Sequence, residues 1–64
     1  MPNPDDARAN FLMARCLEAA GGYDEALVYA EKASRLEPKN ADYHVMLSFI
    51  YGRQAIQAGI LRKL

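Results

Sequence analysis

The sequence predicts an all-α fold of three helices, because two observations agree. Apolar residues recur at spacings of three and four over three successive segments, which is typical of helices with one buried face. Two breakers separate the segments: the pair Gly21-Gly22, where glycine accepts the left-handed conformation that follows many helices, and Pro38, which disfavours helix in the residue before it. We therefore expect one domain (1–64) with helices at about residues 4–20, 24–36 and 41–62.

The first helix is expected to begin beside Asn3, which can cap it, with Pro4 at the first helical position. Asp5 and Asp6 then meet the positive end of the helix dipole. Because Cys16 falls within the apolar spacing, we expect a buried structural thiol and not a nucleophile. The apolar positions of this helix are Phe11, Leu12, Met13, Cys16, Leu17 and Ala20.

The third helix is expected to be the longest of the three. Asn40 is its expected cap, and Gly59 need not end it, since glycine inside a helix costs only about 1 kcal/mol relative to alanine. Arg62 and Lys63 would then lie favourably at the negative end of the dipole. The second helix, which ends before Pro38, has an apolar face made of Ala26, Leu27, Tyr29, Ala30, Ala33 and Leu36.

Two segments at the ends of the second helix carry a family signature. They read Gly22-Tyr23-Asp24-Glu25-Ala26-Leu27 and Leu36-Glu37-Pro38-Lys39-Asn40. With Ala26 and Pro38 at their proper separation, this part of the chain resembles the second half of a tetratricopeptide repeat (TPR), a helix–turn–helix unit of about 34 residues. The match is partial, because other residues stand at several signature positions: Asn10 for Trp, Met13 for Leu, Ala14 for Gly, Leu17 for Tyr and Ala30 for Phe.

The resemblance covers one complete repeat and the first helix of a second. A shift of about 34 residues aligns the first helix with the third, in which His44-x2-Leu47-Ser48-x2-Tyr51 opens the second repeat. The second turn is missing, because Ala55-Ile56-Gln57-Ala58 replaces Gly21-Gly22-Tyr23-Asp24. The resemblance thus implies a TPR-type antiparallel helix hairpin followed by a long third helix, a fragment of an α–α superhelix. Close helix approach is expected at Ala14, Ala26, Ala30 and Ala33, with Met13, Leu17, Tyr23 and Leu36 filling the remaining volume.

The third helix carries two apolar stripes. The first is expected to pack on the other helices and comprises Tyr43, Leu47, Ile50, Tyr51, Ala58 and Leu61. The second, where a solubilising end helix should be polar, comprises Val45, Phe49, Gly52, Ile56 and Ile60. Three interpretations stay open: a neighbouring repeat of a longer protein covers the second stripe, two chains meet through it in an antiparallel two-fold arrangement, or protomers exchange the third helix.

A peptide-binding surface is a further implication of the resemblance. In TPR proteins the first helix of each repeat lines a concave face, and the matching positions are Arg8, Phe11, Leu12, Arg15, Glu18, Asp42, Val45, Phe49 and Arg53. The two phenylalanines would hold apolar side chains and Arg15 and Arg53 acidic ones; alternatively, both phenylalanines are buried between chains. The residues that we expect to bind protein are Phe11, Arg15, Val45, Phe49, Gly52, Arg53, Ile56 and Ile60.

The composition argues against several other functions. The formal net charge is zero, which disfavours nucleic acid or an anionic membrane as the partner. One cysteine and one histidine permit neither an internal disulfide nor a structural zinc site, and we expect His44 to have a packing or surface role. No phosphate loop or catalytic triad spacing is present, so we expect no enzyme, no cofactor and no metal. No secretory signal or membrane span is expected either, which favours the cytoplasm without excluding an exported parent.

The sequence therefore predicts a protein–protein interaction or scaffold module that self-associates, a homodimer being the first expectation. Chains of 64 residues rarely bury enough apolar surface to be stable alone, so a partner chain would supply what a disulfide or metal does elsewhere. Two alternatives remain: a fragment or regulatory part of a larger TPR-containing protein or enzyme that binds a peptide on its concave face, and an engineered fragment made to study repeat folding.

Overall fold

Three α-helices account for nearly all of the described chain. The structure, a computed structural model, describes the backbone of residues 6–63 and the side chains of residues 6–59. The helices are α1 (Ala7–Ala19), α2 (Tyr23–Leu36) and α3 (Ala41–Lys63), and residues 6–63 contain no strand. The predicted all-α class is confirmed. So is the greater length of the third helix, which has 23 residues against 13 and 14 in the first two.

The start of α1 differs from the expectation. Asp6 is its N-cap, since the side-chain Oδ1 accepts a hydrogen bond from the Ala9 N–H at 3.1 Å. The helix therefore begins at Ala7. Asn3 and Pro4, the expected cap and first helical residue, lie outside the described residues.

The glycine pair ends α1 as predicted. Gly21 has φ +85°, the left-handed conformation that glycine adopts without steric cost. The Gly22 N–H donates to the Leu17 carbonyl at 2.8 Å and the Gly21 N–H to the Glu18 carbonyl at 3.0 Å, which together form a Schellman motif. The chain reverses within three residues, so α1 and α2 form a hairpin.

Asn40 and His44 connect α2 to α3. The Asn40 side chain accepts a hydrogen bond from the Asp42 N–H at 3.0 Å, which confirms its expected capping role. His44 Nδ1 is hydrogen-bonded to Ser34 Oγ at 3.2 Å, and Nε2 bonds the Pro38 carbonyl. The only histidine of the sequence therefore ties the start of α3 to the end of α2 while its side chain stays exposed, in agreement with the packing or surface role that we expected.

Helix α3 runs antiparallel to α2 and extends beyond it. Three side-chain contacts pair the two helices in reverse order: Ser34 with His44 at 3.2 Å, Glu31 with Tyr51 at 3.3 Å, and Asp24 with Gln54 at 2.6 Å. Because Asp24 is the second residue of α2, the last pair lies at the start of that helix. The remaining nine residues of α3 extend roughly 14 Å further along its axis. No turn interrupts α3 at residues 55–58, the positions that a shift of 34 residues aligns with the turn between α1 and α2.

The core is thin and consists mostly of alanine. Two clusters of buried residues join the helices, and the shortest dimension of the structure is 13 Å against a longest of 41 Å. The four alanines expected at helix contacts are all buried, and those of α2 belong to clusters with both neighbouring helices. The clusters are Ala14, Ala26, Ala30 and Ile50, and Ala7, Ala33 and Tyr43.

Several expected core positions are wrong. Cys16 is exposed, because α2 covers the face centred on Ala14 and Leu17 and leaves the thiol outside. Tyr51 is exposed at the edge of the α2–α3 contact, and Ala58 lies past the start of α2 with no helix over it. The structure also exposes Leu12, Ala20 and Leu36, and Leu61 has no described side chain.

The contact between Tyr51 and Glu31 makes stability depend on pH. The tyrosine hydroxyl donates to Glu31 Oε2 at 3.3 Å, and the carboxylate, assisted by partial burial, raises the pKa of Tyr51 above its usual 10.0. Below about pH 10 both folded and unfolded chains keep the proton; above it the unfolded chain loses the proton more readily, so stability falls as pH rises. We expect that in Tyr51→Phe the free energy of unfolding, measured with urea, falls less between about pH 9 and 11 than in the wild-type chain.

Glu31→Gln is the matched variant for this prediction, because it removes the charge and retains the shape. In both variants the free energy of unfolding should fall less steeply with pH than in the wild-type chain. Burial and, secondarily, Glu37 also raise the pKa of Tyr43, so part of the pH dependence should persist in each. An unchanged slope in both variants would contradict a role for this contact.

Candidate functional site

A groove opens between α1 and α3. Its volume is 530 Å³, within the range of known ligand sites. Four of the eight predicted protein-binding residues line it, namely Phe11, Arg15, Val45 and Phe49, together with Glu18, Asp42 and Met46. Phe11 is also part of the fold, since its ring lies 4.8 Å from that of Tyr43. The groove therefore has an apolar floor with charged groups of both signs around it.

Two cations lie over the aromatic rings of this region. The Arg15 guanidinium carbon is 6.0 Å from the centre of the Phe11 ring, and that of Arg53 is 5.0 Å from the centre of the Phe49 ring. Such contacts are attractive and hold the long side chains close to the surface. Each arginine keeps hydrogen-bond donors that a carboxylate or a carbonyl of a partner can accept.

The second stripe of α3 is exposed along its described length. Val45 is 67%, Phe49 45% and Ile56 54% exposed, and Gly52 lies between the last two. At about 100° per residue, the members of this stripe lie roughly 100–160° around the helix from Ile50, which is fully buried. Helix α3 is thus apolar on its packed face and on the face turned away from it, as the sequence predicts. The side chain of Ile60, the last member, lies outside the described residues.

Gly52 is a gap in this apolar surface. Its chain neighbours and the nearby backbone of its own helix aside, no atom of the described residues lies within 4 Å of the place that a Cβ on Gly52 would occupy. Packing within the chain therefore does not explain the glycine, although it costs a helix about 1 kcal/mol relative to alanine.

The groove and the stripe overlap but are different surfaces. Val45 and Phe49 belong to both, whereas Gly52, Arg53 and Ile56 lie on α3 outside the groove lining. The sequence reasoning missed Met46 as a lining residue. Its spacing, four residues after Asp42 and three before Phe49, places it on the same side of a helix and could have identified it.

Other kinds of site find no support in the described part of the chain. No group of three or more His, Cys, Asp or Glu side chains that could hold a metal is present among the described residues. Within the same residues, every buried side-chain nitrogen or oxygen has a hydrogen-bond partner, including Asn10, whose Nδ2 donates to the Asp6 carbonyl at 2.8 Å. None of the described helices combines the length and apolar character that crossing a membrane requires.

Comparison with known proteins identifies no relative of this chain. No protein-family model matches the chain, and neither a curated protein nor a solved structure matches it significantly. The resemblance to TPR proteins therefore depends on the motif residues between Gly22 and Asn40 alone.

Proposed function

We propose that this chain is a protein–protein interaction module of the TPR type and that it self-associates through the second stripe of α3. The observation that carries the proposal is the stripe itself, formed by Val45, Phe49, Gly52 and Ile56 on the face opposite the packed one. Scattered exposed apolar residues are ordinary on protein surfaces, but a contiguous row on one helix face is typical of an interaction site.

The small core strengthens this argument. Among the described residues, the fully buried side chains are mostly alanines, which contribute little apolar area, and Ile50 is the largest of them. A domain of this size gains only a few kcal/mol from its own core, about 3–5 at most. Covering Val45, Phe49 and Ile56 would add apolar burial worth about 25 cal/mol for each Å² removed from water. Association would thus add apolar burial, and with it stability, that the small core of a single chain does not provide.

Self-association is tested by sedimentation across concentration with two matched variants. Val45→Asn places a polar group in the stripe, and Val28→Asn makes the same change at a site of similar exposure on α2, 61% against 67%. We expect Val45→Asn to raise the dissociation constant at least about tenfold, since apolar burial of valine is worth about 1.5 kcal/mol or more in each chain. Val28→Asn should leave the constant unchanged.

A monomeric wild-type chain at tens of micromolar would overturn self-association. Equal effects of the two valine variants would instead show that the stripe is not the surface used. Helicity followed on dilution provides a second readout, because a fold that depends on association should lose helix as the dimer dissociates.

The groove supports a second candidate function, the binding of a peptide. The observation that supports peptide binding is the apolar floor formed by Phe11 and Phe49, with an arginine held over each ring. Because the groove and the stripe share Val45 and Phe49, a peptide in the groove would compete with a second chain on the stripe. A wild-type chain that remains monomeric would favour this candidate, and peptide titration would then be the next measurement.

A further inference from the structure

We infer that the partner is a second copy of this chain, packed antiparallel along α3 with the two helices crossing at Gly52. The inference rests on the self-association proposed above and specifies its geometry. Three independent features of α3 support it: the symmetry of the stripe, the gap at its centre and the distribution of charge along the helix.

Four of the five stripe positions exchange in pairs when the helix is reversed, and Gly52 then lies opposite position 53. Positions 45, 49, 52 and 56 follow spacings of four, three and four, the pattern of a coiled-coil seam. Positions 49 and 56 are equally distant from a point between residues 52 and 53, and so are positions 45 and 60. A two-fold axis through that point would place Phe49 of one chain opposite Ile56 of the other. A symmetric dimer requires a surface that is complementary to itself in this way.

Gly52 lies beside the proposed axis. It is exposed, and, its chain neighbours and the nearby backbone of its own helix aside, no atom of the described residues lies within 4 Å of the place of a Cβ there. Its flanking residue Arg53 is directed along the helix, with its guanidinium carbon 5.0 Å from the centre of the Phe49 ring. A glycine at the crossing point lets a second helix approach closely, which accounts for a residue that is unfavourable in an isolated helix.

The charges on α3 favour the antiparallel over the parallel orientation. Asp42 lies in the first turn of the helix, and Lys63 is its last residue. By helical register, positions 42 and 63 lie within about 60° of each other around the helix axis, beside the stripe. In an antiparallel pair, position 42 of each chain lies opposite position 63 of the other, so a negative residue faces a positive one. The two helix dipoles also point in opposite directions, which is favourable. A parallel pair would bring like charges together.

Disulfide trapping tests this arrangement in a Cys16→Ser background, which removes the exposed native thiol. We expect Gly52→Cys to form a disulfide-linked dimer at least about tenfold faster than Val45→Cys under mild oxidation, because disulfides require Cα atoms within about 7 Å. The two copies of position 45 would lie roughly 22 Å apart along an antiparallel pair. Non-reducing electrophoresis gives the rates, and sedimentation under reducing conditions gives the oligomeric state of each variant.

The outcomes separate the arrangement from self-association itself. If the Cys16→Ser background is a monomer at all concentrations, the proposed function fails and the arrangement fails with it. If it is a dimer in which Val45→Cys links as fast as Gly52→Cys, or in which neither links, self-association stands and the antiparallel crossing is overturned.

A charge exchange provides a second test that leaves the crossing point intact. Asp42→Lys and Lys63→Asp should each weaken the dimer about threefold to tenfold, and the double variant should restore it. Both changes also oppose the helix dipole, so the double variant has the least favourable α3 of the set. Recovery of the dimer in that variant therefore cannot come from helix stability. A double variant that keeps the helicity of the wild-type chain by circular dichroism and still does not recover the dimer would overturn the antiparallel arrangement.

Discussion

Replacing Ile50 with alanine should abolish cooperative folding of the isolated chain. Ile50 is fully buried in a cluster with Ala14 on α1 and with Ala26 and Ala30 on α2. The alanine side chains are too short to reach into the space left by the lost atoms, and the larger side chains around the cluster, such as Leu27 and Leu47, are already packed against it. Such cavities cost about 2–5 kcal/mol, which is comparable to the net stability of at most about 3–5 kcal/mol available to a core of this size.

Urea unfolding followed by circular dichroism measures this effect, and Ile56→Ala is its matched control. Ile56 lies on the same helix but is 54% exposed, so the same change should alter stability by no more than about 0.5 kcal/mol in the monomer. Both variants should be compared at one low concentration, because association adds stability by mass action. Equal losses in the two variants would contradict the assignment of Ile50 to the core and Ile56 to the outer surface.

Replacing Ala14 with leucine should have the second-largest effect. Ala14 is fully buried where α1 meets α2, opposite Ala26 and Ala30. The added side chain has no space there, so the helices must separate or the leucine must adopt a strained rotamer, at a cost of about 1–3 kcal/mol or more. Leucine and alanine have similar helix propensities, so the loss would come from packing.

The control for this prediction is Ala19→Leu, the same change at an exposed position of the same helix. It should alter stability by no more than about 0.5 kcal/mol. The measurement is the midpoint temperature of thermal unfolding of both variants. A chain that tolerates leucine at Ala14 as readily as at Ala19 would show that the alanine contact does not set the distance between α1 and α2.

Local chemistry explains which elements could be predicted. The positive φ of Gly21 and the capping of α3 by Asn40 depend on residues a few positions apart, and both were predicted correctly. The uninterrupted course of α3 through Gly59 follows for the same reason, since nothing nearby opposes it. At the start of α1, Asn3 and Asp6 can both cap a helix, and the sequence contains no rule to choose between them.

The candidate site could be predicted in part. The spacing of Val45, Phe49 and Ile56 on one face of a helix is a property of the sequence, and their exposure agrees with it. The groove is different, because it exists only where α1 and α3 lie close enough for Phe11 and Met46 to line one space. Spacing along one helix says nothing about the distance to another helix.

The sequence by itself determined three helices, their order, the positions of the two turns and the two apolar faces of α3. These depend on backbone preferences and on helical period, which act over a few residues. Only the tertiary structure decided which apolar residues are covered. Cys16 and Tyr51 lie at the edges of their faces, where the placement of α2 leaves them exposed, and Ala58 is exposed because α2 begins at Tyr23. Burial depends on where a neighbouring helix crosses and ends, and that is set by the packing of the whole chain.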